Sequence, residues 1–113
     1  DLVRSRGLGD VYKRQIHNIH QTVLKAASAE GALNMGNWHT CDTTHCRAGW
    51  VVTLAGERGK ALEKASSTLF AAQQIYKASS PIGVSPVRFY ETNDVAMADM
   101  KRCAEEEAKQ SPA

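Results

Sequence analysis

The sequence has no apolar run approaching the ~20 residues that a membrane-spanning helix needs, which speaks against a helical anchor. No stretch combines a basic start, an apolar run and a small-residue cleavage site, so no secretory leader is read. There is no internal repeat and no low-complexity tract. The cysteines number three, and an odd count without a leader favours a reducing compartment over a disulfide scaffold. No histidine follows His45, so a cysteine nucleophile in this stretch lacks the usual downstream base.

A surplus of charge is also missing once the N-terminus is set apart. Ser5 to Gln15 resembles the translation of a transposon-type sequencing adapter, and residues 1–15 are expected to be artefactual or disordered. They hold Arg4, Arg6, Lys13 and Arg14 against Asp1 and Asp10, a net of +2. The whole chain has 14 basic and 12 acidic side chains, so the other 98 residues hold 14 − 4 = 10 basic and 12 − 2 = 10 acidic ones. A phosphate-backbone binder carries a basic surplus, so nucleic acid is not the expected partner. The adapter itself points to an environmental DNA library and hence to a microbe or a phage.

What is present concentrates between Trp38 and Gly56. This stretch holds both tryptophans, two of the three cysteines and two of the four histidines. Asp42, Thr43 and Thr44 are competent N-caps. Behind them Cys46, Ala48, Trp50, Val51, Val52, Leu54 and Ala55 are apolar on nearly every side, which predicts a central helix covered on most of its surface. Gly49 costs a helix interior about 1 kcal/mol relative to Ala, which predicts close approach by another backbone. Gly56 reads as a left-handed stop, with Glu57-Arg58-Gly59 as surface beyond it.

The rest of the chain supplies the wrapping. Ile16, Ile19, Val23, Leu24 and Ala27 mark one face of an amphipathic helix, with His17 and His20 read as solvent-side. Leu33 and Met35 permit a brief strand without an obvious partner. Lys60–Ala65 is helical, and Ser66 or Ser67 caps a helix over Thr68–Ala78. Ser85-Pro86 opens a short turn bearing Phe89 and Tyr90. Thr92 or Asn93 caps a last helix whose inner face is Val95, Ala96, Met100, Cys103 and Ala104, with Glu105-Glu106-Glu107 solvated. The expected fold is all-α, a compact helical domain over residues 16–110 with four main helices and one or two short ones. Residues 111–113 are expected to fray. Phe89, Tyr90 and Met97 offer apolar surface that a homo-oligomer would cover.

Three chemistries fit the Cys/His cluster. His39, Cys41, His45 and Cys46 have the ligand types of a zinc-stabilised module, although all four come from one turn. His17 or His20 offers a distant ligand. Cys46, at a helix start, is a candidate nucleophile of a hydrolase or transferase, with His39 or His45 as base. The third reading is structural: Cys41 and Cys46 are small buried residues, and no cofactor is required.

The run Trp-His-x-Cys-x-x-x-His-Cys-x-Ala-Gly-Trp resembles a group of small phage, prophage and bacterial proteins of no established activity. The likeness extends through Ser67–Ala72 and Ile75-Tyr76 to Ala96–Met100. It implies a phage or mobile-element origin and the cytoplasm of a bacterial host. The expected function is a non-enzymatic binding protein capturing a host factor or a nucleotide-type defence signal. Its expected ligand residues are His39, Thr43, Thr44, His45 and Arg47 at an anion-friendly helix start, with Arg88 and Tyr90 from the short aromatic turn.

Overall fold

The structure, a computed structural model, describes residues 16–110. The expectations for residues 1–15 and 111–113 lie outside them. Five α-helices appear in order: α1 Ile19–Ala27, α2 Arg47–Leu54, α3 Gly56–Ala65, α4 Thr68–Ser79 and α5 Asn93–Gln110. A 3-10 turn covers Pro86–Tyr90, and a two-stranded antiparallel hairpin pairs β1 His39–Cys41 with β2 Thr44–His45. The mostly helical architecture agrees with the sequence, and the hairpin is an addition to it.

Helix α2 is central. Arg47, Ala48, Gly49, Val51 and Val52 are buried, and α1, α3 and α4 all pack on it. Each Val buried there contributes about 1.5–3 kcal/mol. Gly49 has the predicted close approach, because a Cβ would overlap the carbonyl oxygen of Trp38. Gly56 takes φ +71°, but α3 starts at once, so the stop is a corner between two helices. Gly59, expected at the surface, is buried against the Val52 carbonyl.

The start of α2 differs from expectation. Asp42, Thr43 and Thr44 belong to the hairpin, and the N-cap is Cys46, whose sulfur accepts the Gly49 N–H at 3.3 Å. The brief strand at Leu33 does find a partner: it bridges to His45, with Asn34 N–H donating to the His45 carbonyl at 3.0 Å. Ser67 caps α4 as predicted, accepting the Phe70 N–H at 3.0 Å.

Helix α5 packs along α1. Its inner face holds Ala96, Met100, Cys103 and Ala104 as expected, while Val95 is exposed and Asp99 and Glu107 are buried. Glu107 is spent on α1, which has no cap of its own: its two carboxylate oxygens accept the His20 and Gln21 backbone N–H groups at 3.1 and 2.9 Å. A carboxylate at a helix N-terminus satisfies orphan donors and opposes the positive end of the dipole. Asn93 spans from α5 to the linker, accepting the Met35 N–H and donating to the Leu33 carbonyl. Phe89, expected as uncovered surface, is buried and stacks on Tyr76 at 6.1 Å.

Candidate functional site

The hairpin places His39 and His45 opposite each other, and a register irregularity separates His39 from Cys41. Their rings meet edge to face at 4.9 Å, with the two Nδ1 atoms 2.7 Å apart. His45 Nε2 lies 3.0 Å from the Asp42 carbonyl oxygen, which can only accept, so His45 Nε2 carries a proton. His39 Nε2 lies 2.7 Å from Glu63 Oε2 on α3, and that same oxygen accepts the Thr68 hydroxyl at 2.6 Å. Burial tends to raise the Glu63 pKa, but the hydrogen bonds from Thr68 and His39 outweigh it and hold the carboxyl below its ordinary value. Glu63 is therefore a carboxylate, and His39 Nε2 is a donor. Both outer nitrogens thus carry protons, and the inner pair faces across one short gap.

These residues line an open cleft of about 580 Å³, formed by His39, Cys41, Asp42, His45, Thr53, Lys60 and Glu63. The hairpin, α2 and α3 each contribute to it. Behind it His45 packs edge-on against Trp50 at 4.7 Å, and the indole N–H is anchored on the Ala32 carbonyl at 2.7 Å. The cleft wall is held by the core, not by a free loop.

The thiols divide sharply. Cys41 is exposed, and its pKa is lowered by the Thr43 backbone N–H and by the Thr44 and Thr43 hydroxyls. Cys46 is buried, and burial pushes its thiol pKa up despite the N–H groups of the helix start. Its sulfur is engaged as a cap, which works against the nucleophile expected there. Among the described residues no group of three or more His, Cys, Asp or Glu side chains is already arranged as a metal shell.

Other residues expected at the site lie elsewhere. Thr43 is exposed at the hairpin turn, and Thr44 donates its hydroxyl to the Gly31 carbonyl. Arg47 faces the core and is fully buried. Its Nη1 reaches Asp99 Oδ2 at 2.7 Å, its Nε donates to the Tyr76 hydroxyl at 3.1 Å, and its Nη2 approaches the Cys103 sulfur at 3.8 Å. Burial opposes the Arg47 charge, but Tyr76 and Asp99 more than offset it, so its pKa stands above the ordinary value. Burial keeps the Tyr76 phenol neutral, so the compensating negative charge belongs to Asp99. Arg88 pairs with Glu91 at 2.8 Å and approaches Asp99 at 3.5 Å. Tyr90 is exposed beside Trp38, edge to face at 6.0 Å, on a separate surface with Met35 and Phe89.

His17 is exposed, but His20 is buried, contrary to the solvent-side reading. It stacks on Tyr76 at 5.1 Å, and its ring nitrogens make no hydrogen bond of good geometry, the Ile82 backbone offering only a weak contact. Sequence reasoning also passed over Glu63 and Lys60. Glu63-Lys64 is an ordinary surface pair in a polar helix, and nothing local ties it to a histidine 24 residues earlier. Comparison with family models, curated proteins and solved structures finds no match. No helix among the described residues is long and apolar enough to cross a membrane.

Proposed function

We propose that this chain is a non-enzymatic binding protein of phage or mobile-element origin. It captures a small host-derived ligand, a nucleotide-type defence signal in the most specific version, in the cleft between the hairpin and α3. The observation carrying this reading is the chain of close polar contacts Asp42–His45–His39–Glu63–Thr68 along the cleft, with hydrogen bonds at its outer links and the 2.7 Å approach of the two Nδ1 atoms at its centre. A few fixed polar groups in a concave wall are what a small-ligand site requires. Lys60 adds a cation beside them, suited to phosphate or carboxylate. The origin is supported by the Trp-His-x-Cys-x-x-x-His-Cys resemblance. The burial of Cys46 and the raised pKa of its thiol weigh against the alternative of a hydrolase or transferase using Cys46.

The test is isothermal titration calorimetry against cyclic nucleotides and ADP-ribose-type compounds, run in the presence of a metal chelator. Saturable heat that Lys60→Ala weakens by tenfold or more supports the reading. An absence of heat and of thermal shift with every compound removes the nucleotide version.

A further inference from the structure

Two imidazoles whose outer nitrogens both carry protons present two lone pairs to each other across 2.7 Å, between His39 Nδ1 and His45 Nδ1. That approach is repulsive unless a cation sits between them. A proton shared by the pair is one such cation, and a metal ion is the other. The outer contacts accommodate either one, since a carboxylate 2.7 Å from His39 Nε2 steadies an imidazolium as well as a metal-bound imidazole. Metal-bound histidines characteristically donate the remaining ring N–H to a carboxylate or a backbone carbonyl, which fixes the tautomer and aims the other lone pair. His39 donates to the Glu63 carboxylate, and His45 donates to the Asp42 carbonyl. Both contacts of that pattern are present, one within the hairpin and one from the hairpin to α3.

We propose that the hairpin cleft binds a zinc-class divalent ion through His39 Nδ1 and His45 Nδ1, with Cys41 as third ligand and a water at the fourth position. The proposal rests on the reading of this cleft as a binding site and names an ion it takes. Tetrahedral bonds of about 2.0–2.1 Å set the two nitrogens roughly 3.3 Å apart, so the imidazoles must part by roughly 0.6 Å. His39 is exposed and can give way, while His45 is held against Trp50. Cys41 lies two residues from His39 and lines the same cleft, and its exposed sulfur leaves the Thr43 hydroxyl, 3.6 Å away, to turn inward. Ion binding releases the shared proton and the Cys41 thiol proton to solvent. Cys46, buried and capping α2, stays out of the shell.

The test uses the full chain, stripped with chelator and titrated with Co²⁺ and then Zn²⁺, with far-UV circular dichroism verifying the fold of each variant. One equivalent of Co²⁺ is expected to give the visible bands of a tetrahedral ion and a near-UV thiolate-to-metal band, both abolished by Zn²⁺. Cys41→Ser is expected to remove the near-UV band, and Cys46→Ala to keep it. Glu63→Gln is expected to weaken binding roughly 10–100-fold, and His39→Ala more than that. Folded wild-type protein that takes up no stoichiometric metal at neutral pH overturns the proposal, and the pair is then proton-bridged. Binding that His39→Ala leaves unchanged, or a near-UV band that survives Cys41→Ser, also overturns it. The nucleotide titrations are run in chelator, so failure here leaves them standing.

Discussion

Asp99 sits among three guanidinium groups, and only one of them is buried with it. Arg47 is sealed in the core at 2.7 Å, while Arg102 and Arg88 reach the other carboxylate oxygen from the half-open side at 3.0 and 3.5 Å. Removing Asp99 leaves the Arg47 charge buried with a neutral phenol and a thiol, and breaking such a pair costs about 3–5 kcal/mol. Asp99→Ala is therefore expected to lose about that much by urea denaturation, whereas Arg102→Ala loses under about 1 kcal/mol, as exposed pairs do. Equal losses from the two would show that Asp99 does not hold the buried charge. Nothing near Arg47 in the sequence announces this. At the start of an apolar helix an arginine reads as a ligand-facing cation, and its partner stands 52 positions on. The candidate site was legible where its residues are neighbours, as with His39, Cys41 and His45. It was hidden where α3 delivers Glu63 and Lys60 from a mostly polar helix that turns only Gly59 and Leu62 inward.

The elements were more legible than their ends. Apolar spacing located α1, α2, α4 and α5, because a buried face leaves a 3.6-residue trace whatever it packs against, whereas the first turn of polar α3 was read as surface. Caps follow looser rules, and two here depart from them: a cysteine sulfur starts α2, and Glu107 starts α1 from across the fold. Glu107 sits in an acidic triplet whose other two members are exposed, so its sequence context conceals it. Glu107→Ala is expected to cost about 1–2 kcal/mol, the range of a lost N-cap. Amide hydrogen exchange should then quicken at His20 and Gln21 first. Uniform protection along α1 in that variant would mean that the carboxylate is not its cap. Gly49 joins two elements: with a Cβ on it, the Trp38 carbonyl must move and the hairpin with it. Gly49→Ala is expected to cost about 3 kcal/mol, the upper range of overpacking, despite the gain in helix propensity.

Across the whole molecule the perturbed acids and the buried imidazole push stability in the same direction with pH. His20 is buried beside Tyr76, and burial lowers its pKa from 6.5 against the opposing pull of Glu107, while Arg47 adds to the lowering and the Ile82 backbone and Asp99 oppose it. The unfolded chain therefore takes up this proton at a higher pH than the folded one, and stability falls as pH drops from about 6.5 through the folded value. Asp99 is buried and Glu63 partly so, which alone would raise their pKa values, but Arg47 with Arg102, and Thr68 with His39, hold them below 3.8 and 4.5. Their contribution is complete above those values and is lost as pH falls through the lower folded ones. Denaturation midpoints should accordingly descend in two stages, one beginning near pH 6.5 and one below about pH 4.5. His20→Phe keeps the stack on Tyr76 and removes two poorly satisfied ring nitrogens, and burying such a polar group costs about 1–3 kcal/mol. That variant should be at least as stable as wild type at pH 7.5 and should flatten the upper stage alone. A wild-type slope between pH 5 and 6.5 that survives His20→Phe would assign that proton to another group, and the core around Tyr76 would then be indifferent to acid until its carboxylates titrate.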